Sequence, residues 1–225
     1  MKLLCISDTH SLHHKIPKEY FVEADMIIHA GDVSNIGSLY EVEDFLDWFD
    51  TLDYPHKIFC CGNHDWIFEL HPKEVEELLT QYPNITYLQD SKVTIEGIKF
   101  YGSPQTPYFH NWAFNCARNN QDALTYKKPL ITEYWNKIPI DIDVLITHGP
   151  PYGIGDFVPY RNGEHVGCRD LLETVSTKLL NLKANIFGHI HYSYGQVNKN
   201  NIQFVNASCC TESYSPSNKP ILISI

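Results

Sequence analysis

Leu3-Leu-Cys-Ile-Ser-Asp-Thr-His10 sets four apolar residues directly before a serine, an aspartate, a threonine and a histidine. A short apolar run of this kind reads as a buried strand. The polar tail then falls at the strand's carboxyl end, where open α/β sheets gather their ligands. The pattern recurs four more times. Met26-Ile-Ile28 runs into His29-Ala-Gly31-Asp32, and Phe59-Cys-Cys61 leads to Gly62-Asn63-His64-Asp65. Val144-Leu-Ile-Thr147 runs into His148-Gly-Pro-Pro151, and Ile186-Phe187 into Gly188-His-Ile-His191.

If these strand endings converge, they bring together Asp8, His10, Asp32, Asn63, His148, His189 and His191. The set offers imidazole nitrogen and carboxylate or amide oxygen, with no thiolate. Seven such donors exceed the needs of one tetrahedral ion and suit two divalent ions sharing a bridging carboxylate. Gly31, Gly62, Gly149 and Gly188 adjoin the donors, where backbone approach is easiest without a Cβ. Each fragment alone has an ordinary explanation, since Asp-x-His is commonly a turn with a surface histidine. The inference rests on five in series, each behind an apolar run.

Runs at 92–95, 98–101, 202–205 and 221–225 add further strands. Helical patterns fall between. Ser38 and Glu41 have capping-box spacing, with Leu39, Val42, Leu46 and Phe49 on one face; Pro72 opens a pattern through Val75, Leu78 and Leu79. Leu171, Leu172, Val175 and Leu179 mark a third helix at 168–180. The first half alternates strand and helix, which favours parallel pairing, and the crowded later strands favour some antiparallel pairing. One α/β domain over residues 1–225 is expected, with a loop or lid at 102–139, where the periodic signal is weakest.

At 225 residues and 43% hydrophobic content the chain can bury a substantial core. The formal charge of −10 leaves no basic stripe for long duplex nucleic acid, so a small anionic substrate is expected. No uncharged apolar run reaches the ~20 residues of a membrane span, and no signal-peptide pattern opens the chain, so a cytoplasmic protein without membrane contact is expected. Seven cysteines, an odd number, suit reduced thiols. The oligomeric state stays open, a homodimer included.

Asp8-x-His10, Gly31-Asp32, Gly62-Asn63-His64-Asp65, His148 and Gly188-His189-x-His191 together resemble the signature of the calcineurin-like metallophosphoesterases. Gly102-Ser-Pro104, Asn111-Trp-Ala-Phe-Asn115, His148-Gly-Pro-Pro151, Gly167-Cys-Arg-Asp-Leu171 and Val205-Asn-Ala-Ser208 are similar to the metallophosphoesterase-domain proteins of animal brain, to which bacterial class III cyclic-nucleotide phosphodiesterases are related. The resemblance implies a four-layer α/β/β/α sandwich with two mixed sheets. It also implies one metal on Asp8, His10 and His191, a second on Asn63, His148 and His189, and Asp32 between them. No ligand of that scheme is missing.

The expected activity is hydrolysis of small phosphodiesters, with cyclic nucleotides as the class the resemblance suggests, by attack of a metal-bridging hydroxide. Mn²⁺ is the expected metal, while Fe²⁺, Zn²⁺ and Co²⁺ also suit N/O donors. His64 is the expected general acid or partner of the phosphoryl oxygens. Asp65 either orients that imidazole or serves the turn. Trp112, in an aromatic cluster with Tyr108, Phe109 and Phe114, is a base-stacking candidate. Arg118 is a phosphate-contact candidate, and His110 and His165 are the loop histidines nearest substrate. His13, His14, His29, His56 and His71 carry no comparable spacing. A phosphomonoesterase or nuclease would use the same donors, and a non-catalytic interaction scaffold would not need all of them.

Overall fold

The computed structural model describes residues 1–160 and 163–225. In chain order the strands are β1 (Lys2–Ile6), β2 (Met26–Ala30), β3 (His56–Cys60), β4 (Ile85–Tyr87), β5 (Ser91–Ile95), β6 (Ile98–Ser103), β7 (Thr106–Pro107) and β8 (Asn115–Cys116). They continue with β9 (Val144–Thr147), β10 (Phe157–Val158), β11 (Glu164–His165), β12 (Ala184–Phe187), β13 (Gly195–Lys199), β14 (Ile202–Asn206) and β15 (Ile221–Ser224).

One sheet has the order β15-β1-β2-β3-β4 and the other β13-β14-β12-β9-β6-β5. Inner neighbours pair in parallel, whereas β15, β13 and β5 pair antiparallel at the edges. A parallel bridge from Ser7 to Ser208 joins the two sheets just past β1 and β14, so the carboxyl ends of both parallel sets open on one rim.

Alternation along the buried strands divides the core. Leu3, Cys5, Met26, Ile28 and Ile58 face Phe100, Val144, Ile146 and Ile186 between the sheets. The opposite face of the first sheet, with Leu4, Ile6, Ile27 and Phe59, packs under α1 (Leu39–Thr51), α2 (Trp66–Leu70) and α3 (Pro72–Leu79). Tyr101, Leu145 and Phe204 of the second sheet pack under α5 (Ile131–Trp135) and α6 (Arg169–Thr177), while α4 (Asn120–Tyr126) buries no residue. The result is the α/β/β/α sandwich expected. No helix among the described residues is long and apolar enough to cross a membrane.

α1 begins on the expected box: Glu41 N–H donates to Ser38 Oγ at 3.3 Å and Ser38 N–H to Glu41 Oε2 at 3.0 Å. Its buried face is Val42, Phe45, Leu46 and Phe49. Leu39, at the first helical position, is not part of that face and is 40% exposed. The segment 102–139 is less of a lid than expected. Gly102 and Ser103 finish β6, and Ile131, Trp135 and Ile138 sit in the core under the second sheet.

Candidate metal centre

Past the end of β1 the parallel pairing continues into the polar tail. Asp8 N–H donates to Gly31 O at 2.9 Å and His10 N–H to Asp32 O at 3.1 Å. Asp8, His10, Asp32 and His189 hold φ values of 52°, 43°, 55° and 67°. Each such left-handed, non-glycine residue costs of order 1–3 kcal/mol and persists only where its surroundings fix it, commonly at functional sites.

The side chains converge as the strand-end argument requires. Asp32 Oδ2 lies 3.2 Å from His148 Nε2 and 3.8 Å from His10 Nε2. Asp8 Oδ1 lies 3.2 Å from His191 Nε2 and 4.0 Å from His10 Nε2, and the two imidazole Nε2 atoms of His10 and His191 face each other at 3.3 Å. Asn63 Oδ1 is 2.9 Å from His148 Nε2. Donor atoms of Asp8, His10 and His191 form one group, those of Asp32, His148 and His189 a second, and those of His10, Asp32 and His64 a third between them, each within 4.8 Å. Asp32 therefore belongs to two of the three groups.

Backbone carbonyls set the tautomers. His148 Nδ1 donates to Ala30 O at 3.1 Å and His191 Nδ1 to Thr211 O at 3.0 Å, so each turns its Nε2 inward, where it can ligate a metal once that nitrogen is deprotonated. Asp8 accepts from His189 N–H at 3.0 Å and from Ser208 Oγ at 2.8 Å.

Charge is concentrated here. Burial alone would raise the Asp8 and Asp32 carboxyls, but His191 beside Asp8 and His148 beside Asp32 hold both below the usual carboxylate range. Burial opposes charge on His148 too, yet Asp32 lifts it to about 9, whereas burial pushes His10 to about 4 and His189 to about 3. The two buried carboxylates thus favour the charged form of the imidazoles beside them, His148 and His191, a balance that bound cations would take over.

The pocket fits divalent ions in chemistry and shape. Its donors are nitrogen and oxygen only, two carboxylates bring negative charge, and the backbone closes tightly beneath. A Cβ on Gly188 would overlap the Asp8 carboxylate and Ser7, and one on Gly62 would overlap Asp32. At Gly31, with φ 107°, it would strike His148 and Cys61. Gly149 differs from expectation, because its Cβ would meet only Thr106 at an ordinary 3.4 Å.

The family model for calcineurin-like phosphoesterase matches residues 1–193. The chain belongs to that family. Among its relatives, the metallophosphoesterase domain-containing protein 1 of Homo sapiens is 38% identical over 244 residues, covering 100% of this chain and 71% of the human protein. A UPF0046 protein of Caenorhabditis elegans is 33% identical over 241 residues, covering 100% of this chain and 81% of its own. A Thermus thermophilus structure superposes with a TM-score of 0.62 at 14% identity, over 91% of this chain and 88% of that one, which speaks for the fold alone.

In this calcineurin-like chain His64 belongs to the middle donor group, with His10 and Asp32. Its Nδ1 donates to Asn35 O at 2.6 Å, leaving Nε2 for the pocket, and its ring stacks on Trp112 at 4.3 Å and meets the His10 ring edge-on at 4.7 Å. Trp112 thus lies on the pocket wall. The Arg118 guanidinium donates to Val166 O at 3.1 Å and Gly167 O at 3.2 Å and lines an adjoining cleft, outside the three donor groups. His165 lines that cleft also, with Nδ1 2.6 Å from Asp156 Oδ1.

Asp65 does not orient the His64 imidazole. Its buried carboxylate points back into the turn, accepting from Gly62 N–H at 2.7 Å, Val33 N–H at 3.3 Å, Ser34 N–H at 2.9 Å and Ser34 Oγ at 2.6 Å. Nor does it cap α2. It fastens the Asn63–His64 turn to the segment after Asp32. Asp65→Ala, which orphans several buried donors, is therefore expected to destabilise the apoprotein by roughly 3 kcal/mol in urea denaturation. A loss under about 1 kcal/mol would mean the turn is held by other contacts.

Ser208 and Tyr214 were not singled out as site residues from the sequence. Ser208 binds Asp8, and the Tyr214 ring lies 4.8 Å from that of His10. For Ser208 the signal was present, because Asn206-Ala-Ser208 is one more polar strand ending, after β14.

Proposed function

We propose that this metal-dependent phosphoesterase hydrolyses small phosphodiesters, with cyclic nucleotides as the favoured class and Mn²⁺ as the favoured metal. The observation that carries the reading is Asp32, whose carboxylate stands between His148 and His10 and takes the His64 N–H at 2.8 Å. Two divalent ions held by these residues would supply Lewis acidity toward phosphoryl oxygens and acidify water. Asp8, His10 and His191 would hold one ion, Asn63, His148 and His189 the other, and Asp32 both.

The chain's own part is positional. His64 would deliver the proton to a departing alkoxide from Nε2, and Trp112, stacked on its ring, would brace it. The cavity above the donors, about 340 Å³, adjoins a cleft of about 510 Å³ that shares Phe109, Tyr160 and His189 with it. That room supports a diester with a second arm, of ligand-sized dimensions. A chain charge of −10 supports a small substrate over a duplex. Seven free, buried cysteines support a reducing compartment such as the cytoplasm.

Bis(p-nitrophenyl) phosphate and p-nitrophenyl phosphate, assayed after chelation and with Mn²⁺, Zn²⁺, Co²⁺ or Fe²⁺ restored, test the proposal. Turnover should vanish with chelator, return with metal, and favour the diester. Faster monoester hydrolysis would overturn the diesterase reading. Absence of turnover with every metal would favour an interaction scaffold.

A further inference from the structure

A second group of metal-type donors lies apart from the centre and shares no residue with it. His13 and His14 open a 3₁₀ turn (His13–Lys15) after the β1 tail, and Asp44 stands in the second turn of α1. Asp44 Oδ2 is 3.1 Å from His13 Nε2, and Asp44 Oδ1 is 3.2 Å from His14 Nε2. All three donor atoms lie within 4.8 Å of one another.

His13 makes this more than a surface ion pair. Its side chain is 0% exposed, and neither ring nitrogen has a hydrogen-bond partner, although Asp44 is close to Nε2. A buried polar atom left unsatisfied costs about 1–3 kcal/mol. An ion on Nε2 would remove one of the two deficits. Each imidazole stands 3.1–3.2 Å from an Asp44 oxygen, close to the separation of about 3.3 Å between donors around a tetrahedral centre with ~2.0–2.1 Å bonds.

The surroundings are those of a site with open coordination positions. Trp48 and Phe45 pack on the His13 ring at 4.8 and 5.9 Å, while His14 opens on a groove of about 740 Å³ beside α1. We propose that His13 Nε2, His14 Nε2 and the Asp44 carboxylate form a further divalent-metal site, best suited to Zn²⁺, with water completing the shell. Two imidazoles and one carboxylate are a donor set for a borderline transition ion, and no oxygen cage of the kind Ca²⁺ or Mg²⁺ requires is present among them. An ion there would tie the segment that follows His10 to α1, in parallel with the Ser11 Oγ–Glu41 Oε1 hydrogen bond of 3.1 Å.

The test counts metal. Wild-type protein, saturated with Mn²⁺ and then dialysed against Zn²⁺, should hold one more ion in total per chain than His14→Ala or Asp44→Ala, both of which change partly exposed side chains and spare the buried His13. Repeating the comparison in an Asp32→Ala background separates this site from the dinuclear reading, because loss of the centre lowers every count together and leaves the difference of one. Crystals soaked in Zn²⁺ should show anomalous scattering between His13, His14 and Asp44. Equal counts in wild type and variants, or no anomalous peak there at saturating zinc, would overturn the proposal.

Discussion

Asp32→Ala is expected to bind neither ion of the centre stably and to lose at least roughly four orders of magnitude in turnover, about 5.5 kcal/mol of barrier. Three losses coincide. His148 and His10 lose the oxygen that lies 3.2 and 3.8 Å from their Nε2 atoms, so the chain gives up the carboxylate proposed to serve both ions. His64 N–H loses the acceptor that holds its turn over the pocket. His148, lifted to about 9 chiefly by the Asp32 charge against the opposing effect of burial, loses its counter-ion. Elemental analysis beside kcat/KM on bis(p-nitrophenyl) phosphate checks the result. Two ions retained with turnover reduced less than tenfold would show that Asp32 does not bridge. Asp32→Asn should fall between, because an amide oxygen can still take the His64 N–H but brings no charge.

The parts of this site that were legible from the sequence were those governed by strand geometry. Buried parallel strands are unbroken apolar runs, so their ends are sharp, and polar residues just past Ile6, Ala30, Cys60, Thr147 and Phe187 had to share one rim once the sheets were parallel. The edges were harder. Gly195–Lys199 is mostly exposed and polar, and it pairs only on its β14 side, so no apolar run marks it. The helix Ile131–Trp135 has five residues, too few for a period to emerge, and its burial of Trp135 was hidden inside what resembled a loop.

Side-chain direction was the other limit. Asn63, His64 and Asp65 are consecutive, yet they serve the metal donors, the pocket and the turn respectively, because the chain reverses there: Asp65 N–H donates to Gly62 O at 3.2 Å and Trp66 N–H to His64 O at 2.9 Å. Adjacency suggested an Asp–His pair, but the turn puts the Asn35 carbonyl at His64 Nδ1 instead. His13 shows the converse. Nothing in its spacing marked it, and what sets it apart is full burial of a ring whose nitrogens make no well-formed hydrogen bond, with Asp44 3.1 Å from Nε2.

His64→Ala should separate proton delivery from metal binding. His64 lies beside the donors without being needed to complete either principal group, so both ions should remain. The rate on a cyclic nucleotide should fall by roughly 10²–10⁴, the usual contribution of a positioned acid. A ribose alkoxide is a poor leaving group and needs its proton as the P–O bond breaks, whereas p-nitrophenolate leaves unaided. The same variant should therefore lose much less on bis(p-nitrophenyl) phosphate. That contrast distinguishes an acid from a residue that merely binds phosphoryl oxygens, whose removal would depress both substrates alike. Trp112→Ala tests the brace: with the stacked ring gone, the His64 ring keeps its Asn35 hydrogen bond and its edge contact with His10, and the cyclic nucleotide rate should fall less than in His64→Ala but in the same leaving-group-dependent sense. Equal losses on both substrates in His64→Ala would remove the acid assignment and leave His64 as a binding residue.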